Sequence, residues 1–164
     1  MAFNRTQIED IVNKARERGA PANFRSLKLH GCDLSNLDLE KADFRSASCH
    51  YVDFTNCNCK MANFEGAGLM FTKWKGSNCH RTNFKDASLC DADMRGVTDF
   101  FGATFTMECR SWKGLKIDPG FWYGFLFYGL LMVPPTEEAK EKLQIFLGPE
   151  HFTVLRDLYL TRQV

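Results

Sequence analysis

From Ala22 onward a large residue, mostly apolar, falls at every fifth position. The series runs Phe24, Leu29, Leu34, Leu39, Phe44, Cys49, Phe54, Cys59, Phe64, Leu69, Trp74, Cys79, Phe84, Leu89 and Met94, fifteen centres without a gap. Two residues before the centre lies a smaller apolar or hydroxyl residue, as at Ala22, Cys32, Ala42, Ala47, Val52, Cys57, Ala62, Ala67, Ser77, Ala87 and Ala92. Between the two stands mostly Asp, Asn or Ser, and two mainly polar residues follow the centre. On a helix, five residues advance a side chain by about 140°, which would scatter the centres around the circumference. On a flat strand, an odd spacing would send successive centres to opposite faces. The chain must therefore turn once per five residues and keep the centre and its small partner inside. Asp, Asn, Ser and Gly outside favour such turns. A solenoid follows.

A second period sets the size of the coil. Phe24, Phe44, Phe64 and Phe84 are spaced by twenty, and Asn23, Asp43, Asn63 and Asn83 precede them. If like residues stack, one coil is four fives, a four-sided tube with an interior Phe ladder rising ~4.8 Å per layer. After Met94 the phase slips by one residue. Phe100 and Phe105 then become the centres, so the ladder continues at Phe105 and the repeats end near residue 107.

The copies "ANFRS", "ADFRS", "ANFEG" and "ADMRG" follow an A-(D/N)-(L/F)-x-x pattern that resembles the pentapeptide-repeat proteins, over roughly Ala22 to Met107. The resemblance implies a mainly β fold, a right-handed quadrilateral β-helix with interior centres and exterior turns. The best-known members act on DNA gyrase by resembling duplex DNA, while others are regulators.

Both ends of such a tube need covering. Thr6-Gln7-Ile8-Glu9 reads as a capping box, and Ile8, Ile11, Val12 and Ala15 form a helical stripe, with Gly19 as the stop. Residues 1–20 are therefore expected to be an N-terminal capping helix and 21–110 the β-helix. Residues 111–164 are expected to form a C-terminal module, an aromatic segment and two helices that serve as a cap or an interface. Its aromatic stretch is "DPGFWYGFLFYGLLMVPP". One helix opens at Pro135 and Thr136 with a stripe of Ala139, Leu143 and Phe146. After Gly148-Pro149 a second carries Phe152, Leu155 and Tyr159.

Chemistry is sparse. No nucleotide-loop, dinucleotide, zincin or serine-hydrolase motif occurs, so an enzyme, a cofactor and catalytic residues are not expected. Cys57 and Cys59 both fall on interior positions, and the seven cysteines fit no zinc spacing; packed, reduced thiols and no metal are expected. Lys+Arg 21 against Asp+Glu 20 gives +1, with no signature of nucleic acid or acidic lipid. The apolar run Phe121 to Val133 is 13 residues, short of the roughly 20 of a membrane helix. The N-terminus lacks the apolar core of a secretory signal, and a cytoplasmic protein is expected.

One exterior column stands out. His30, His50, Met70 and Cys90 line up one per coil, flanked by Gly31, Tyr51, Phe71 and Asp91. A straight ladder of His, Met and Cys does not enclose an ion tetrahedrally. The expected partner-binding residues are Tyr51, Phe71, Met70 and His50, with Trp122, Tyr123, Phe125, Phe127 and Tyr128 of the C-terminal module. Phe24, Phe44, Phe64, Phe84 and Phe105 form the structural ladder. The expected role is a non-enzymatic protein-protein interaction module on an intracellular protein partner, with a topoisomerase the named candidate by resemblance. From Ala22 to Arg110 there are eleven acidic and eleven basic residues, which suits a duplex mimic poorly. The alternative is an architectural subunit of a larger assembly, a virus particle included, docked through the C-terminal module. A homodimer through that module is a further expectation.

Overall fold

In the computed structural model the described residues are 3–105 and 113–118, all within the unit Met1–Asp118. The expected C-terminal aromatic residues and helices lie outside them. The chain opens with helix α1, Arg5–Glu17. Its capping box is formed by Asn4 and Gln7 rather than by Thr6 and Glu9. Asn4 Oδ1 accepts from Gln7 N at 2.9 Å, and Gln7 Oε1 accepts from Asn4 N at 3.0 Å. Asn4, extended and among the best N-cap residues, starts the helix early enough to leave Thr6 inside its first turn. At the other end Gly19, with φ 61°, closes a Schellman motif: Ala20 N donates to Ala15 O and Gly19 N to Arg16 O. Ile8 and Val12 bury one stripe of the helix, while Ile11 and Ala15 are half-buried.

From Ala22 the chain coils with a period of twenty. The first coil pairs with the second through parallel bridges Asn23↔Asp43, Lys28↔Ser48, Asp33↔Asp53 and Asp38↔Asn58, one on each of four sides. We number these sides one to four in chain order, beginning with residues 22–26. A corner every five residues leaves room for only single bridges, so among the described residues just β1 (Asn83–Phe84) and β2 (Thr104–Phe105) reach strand length.

Three local devices build each corner. The centre's carbonyl accepts from the amide three residues on, as Phe24 O from Leu27 N at 3.1 Å. The second residue after the centre takes positive φ, as at Ser26 (58°), Asn36 (60°) and Ser46 (55°), the type II pattern. The Asp or Asn before the centre turns its side chain onto the amide after it, as Asn23 Oδ1 with Arg25 N at 3.0 Å and Asp33 Oδ1 with Ser35 N at 2.8 Å. That third bond is why Asp and Asn recur at this position.

Inside, equivalent rings stack coil on coil. Phe24–Phe44, Phe44–Phe64, Phe64–Phe84 and Phe84–Phe105 have centroids 4.6, 4.5, 5.4 and 4.8 Å apart. A second stack, Phe54–Trp74 at 4.3 Å, rises from side three and meets the first edge-on. The hydroxyl and thiol partners are satisfied within this core: Ser77 Oγ, Thr82 Oγ1 and Cys57 Sγ donate to the carbonyls of Phe54, Cys59 and Leu34. Trp74 Nε1 donates to Thr72 Oγ1 at 2.8 Å.

The slip after Met94 is visible in the ladder. Gly76 N bonds Gly96 O, twenty residues on where the earlier corner amides reach nineteen, and the next pairs are Asn78↔Asp99 and Phe84↔Phe105, twenty-one apart. Lys116 pairs with Asp93 and buries Leu115 beside it, so ladder bonding reaches past residue 110. Among the described residues no helix is long and apolar enough to cross a membrane.

Phe64 is fully buried, with Phe44 and Phe84 on its faces and Phe54 and Trp74 at its edges. Phe64→Ala is expected to cost about 3–5 kcal/mol, read by urea denaturation. A loss below about 1 kcal/mol would mean that the ladder does not hold the coils together.

Candidate functional site

Corner residues point away from the core, and like residues stack outside as they do inside. On the corner after side two, Tyr51 and Phe71 take φ 62° and 59°, and their rings lie 4.7 Å apart at 9°. Tyr51 is 55% exposed and Phe71 39%. Their amides are locked into the ladder, Tyr51 N to Met70 O at 2.9 Å and Phe71 N to Cys90 O at 3.0 Å. The backbone therefore fixes two aromatic rings outside the tube.

Beside them runs the His30, His50, Met70, Cys90 column. The His30 ring is tilted 5.1 Å from Tyr51 and stands edge-on to His50 at 6.3 Å. His50, Met70 and Cys90 are half-buried. The His50 ring lies on Gly68: a Cβ there would come within 2.5 Å of His50 Cε1, so only glycine leaves that seat open. His50 Nδ1 is buried without a hydrogen-bond partner among the described residues. Thus Tyr51, Phe71, Met70 and His50 form one surface. Trp122, Tyr123, Phe125, Phe127 and Tyr128 lie outside the described residues.

Two exposed apolar residues escaped the sequence reading. Met61, on the corner after side four, is 47% exposed, and Phe101 is 54% exposed. Phe101 stacks on His80 at 5.6 Å, and His80 Nδ1 lies 3.0 Å from Asp99 Oδ2. Phe101 follows the centre Phe100, so the shifted register already marked it as outward.

Charge on the tube is paired locally. Arg45 donates to both carboxylate oxygens of Asp43 at 2.9 and 2.6 Å, and that bond holds the Asp43 carboxyl below its ordinary value. Arg95 does the same to Asp93. The thiols follow burial: Cys49, Cys59 and Cys79 are enclosed, and desolvation pushes each of them up. Cys32 is raised by burial too, and its thiol donates to Phe3 O at 3.1 Å. No group of three or more His, Cys, Asp or Glu among the described residues has a metal-binding arrangement.

The family model for pentapeptide repeats matches residues 22–58 and 62–98 with eight copies. No curated protein matches the chain. Among solved structures, a pentapeptide repeat protein of the Arabidopsis thaliana thylakoid lumen is 23% identical over 56% of this chain and 62% of its own, with TM-score 0.42. HetL, a pentapeptide repeat protein involved in heterocyst differentiation regulation in the cyanobacterium Nostoc, is 20% identical over 58% of this chain and 53% of its own, with TM-score 0.28. QnrB1, a plasmid-mediated fluoroquinolone resistance protein, is 16% identical over 70% and 85%, with TM-score 0.25. The chain spans less than two thirds of the length of the first two. Similarity at this level says nothing about activity.

The burial order sets an order of reactivity. Of the six cysteines among the described residues, an alkylating reagent in native buffer should reach Cys90 first and Cys32 next, while Cys49, Cys57, Cys59 and Cys79 react only as fast as the coils open. Peptide mapping by mass spectrometry over time checks this. Simultaneous labelling of all six would contradict the buried placement.

Proposed function

This chain belongs to the pentapeptide-repeat family, and from that premise we propose that it is a non-enzymatic interaction module that binds an intracellular protein through the Tyr51–Phe71 corner. Proteins of these repeats fold as right-handed quadrilateral β-helices and serve in general as interaction or structural modules. In this reading α1 caps the first coil, residues 21–110 carry the contact surface, and 111–164 form a second cap or interface.

The observation that carries the proposal is the stacked, exposed pair Tyr51 and Phe71 at 4.7 Å. Corners suit residues that tolerate positive φ, such as the Asn36 and Asn56 that occupy the next corner. Two aromatics there meet no local backbone need, yet they are held rigid and outward. Tyr and Phe at the centre of an apolar patch are favoured contact residues.

Charge decides the kind of recognition. Eleven acidic and eleven basic residues between Ala22 and Arg110, several paired side by side, give no field of one sign. A duplex-DNA mimic needs dense negative charge, so the neutral tube weighs against docking on a topoisomerase by mimicry. A partner that reads shape and apolar contact fits better.

The partner is sought by pull-down with the intact chain and mass spectrometry, then tested against Tyr51→Ala with Phe71→Ala. The double variant should melt with the parent, because both side chains lie outside the core, and should bind about tenfold or more weakly. Binding by the parent should change little with salt. An unchanged affinity, or binding that collapses at moderate salt, would make this corner ordinary surface.

A further inference from the structure

The coil at the start of a parallel stack leaves backbone groups unused, and the register fixes their kind. In each coil the centre and corner amides donate to the next coil, as Leu29 N to Ser48 O and Gly31 N to His50 O, both at 2.8 Å. The residue before the centre donates the other way, as Ser48 N to Leu27 O at 2.9 Å. Each side of the first coil therefore presents two carbonyls and one amide with no coil before them.

On side three a side chain takes the carbonyl pair. Arg5 Nη1 donates to Ser35 O at 2.8 Å and Asp33 O at 3.3 Å, beside the Asp33 carboxylate at 3.6 Å. On side two the corresponding groups are Lys28 O, His30 O and Lys28 N. None of them is hydrogen-bonded within the described residues, and Lys28 and His30 are exposed. Above Tyr51 in the corner column stands Gly31, and nothing lies within 4 Å of where its Cβ would be. Gly31 thus leaves its own level of the corner column empty, and the His30 ring stands tilted beside Tyr51 at 5.1 Å.

We propose that side two of the first coil is a docking edge for an extended, uncharged or acidic segment of a partner protein. The segment adds one more rung, donating to Lys28 O and His30 O, accepting from Lys28 N, and placing an apolar side chain over Gly31, beside His30 and one rung beyond Tyr51. This rests on the Tyr51–Phe71 corner being the contact surface and names the backbone form of what docks there. Two features favour a strand over a second guanidinium. A guanidinium has no acceptor for the Lys28 amide. In addition, the residue before the centre here is Lys28, where side three has the Asp33 that accompanies Arg5. Main-chain bonds along an edge with a pocket for one side chain are the known physics of strand addition.

The probe is an acetylated, amidated peptide copying Ser46–Val52 with Cys49→Ser. In the register of the coils its residues at positions 49 and 51 donate to Lys28 O and His30 O, and its tyrosine stands over Gly31, one rung beyond Tyr51. Titrated into the isotope-labelled full chain, it should shift the amides of Lys28 to Gly31 and Tyr51 with half-saturation near ~1 mM. It should also slow hydrogen exchange at the Lys28 amide about tenfold or more. The same peptide N-methylated at its two donor positions should bind about tenfold more weakly.

Equal binding by the methylated peptide, or shifts at Tyr51 and Phe71 with the Lys28 amide unprotected, overturns the edge while leaving the corner reading intact. Acetyl-arginine amide shifting Lys28 and His30 as strongly as the peptide overturns it in favour of a guanidinium. Protection of Lys28 by the peptide, alongside full partner binding by the Tyr51→Ala, Phe71→Ala variant, supports the edge and removes the corner.

Discussion

The hydrogen bond from each centre's amide to a carbonyl one coil on is the constraint from which the rest of the structure follows. Phe24 N to Asp43 O, Phe44 N to Asn63 O and Phe64 N to Asn83 O repeat it at 2.7–2.8 Å. It holds every residue over its equivalent twenty positions later, so any side chain's neighbour along the axis is set by the sequence period. The Phe ladder inside and the Tyr51–Phe71 pair outside are the same geometry on two faces of the wall. The ladder also forces every fifth residue into positive φ, including Lys41, Tyr51, Met61, Phe71 and Arg81. Each non-glycine residue there costs roughly 1–2 kcal/mol, which burial of the interior rings and the ladder bonds offset.

Parallel stacking gives the tube a direction. Its first coil has spare carbonyls, and further along Gly96 has an amide that takes a side chain in place of the next coil's carbonyl. The chain meets each with a charge of the right sign: Arg5 donates to Asp33 O and Ser35 O, and the Asp118 carboxylate accepts from Gly96 N at 2.6 Å. Both lie on side three. A cation at a carbonyl edge and an anion at an amide edge follow from the ladder's polarity alone.

The extra residue between Gly96 and Asp99 shows where the fold yields. Thr98 N still reaches Ser77 O and donates its hydroxyl there as well, so the ladder resumes after one lengthened corner. The interior column is undisturbed, since Phe105 stacks on Phe84 at 4.8 Å. A corner absorbs an insertion because its residues face outward and hold no position in the core.

The five- and twenty-residue periods determined the coil, its interior and its exterior columns, because a solenoid converts sequence spacing directly into spatial contact. Asp and Asn before the centre were legible as turn residues, and their bond to the amide two residues on is the reason. The sequence also placed Tyr51 and Phe71 in one outward column. Tertiary structure alone decided the rest. The start of α1 depended on whether Asn4 or Thr6 took the cap, two residues of similar propensity. That Lys116 returns to Asp93 is invisible to a period already broken at residue 97. The seat of His50 on Gly68 and the Arg5 bond across side three both join residues whose spacing lies outside the repeat. A period predicts only contacts between equivalent positions, and contacts between unlike ones exist only once the chain has coiled.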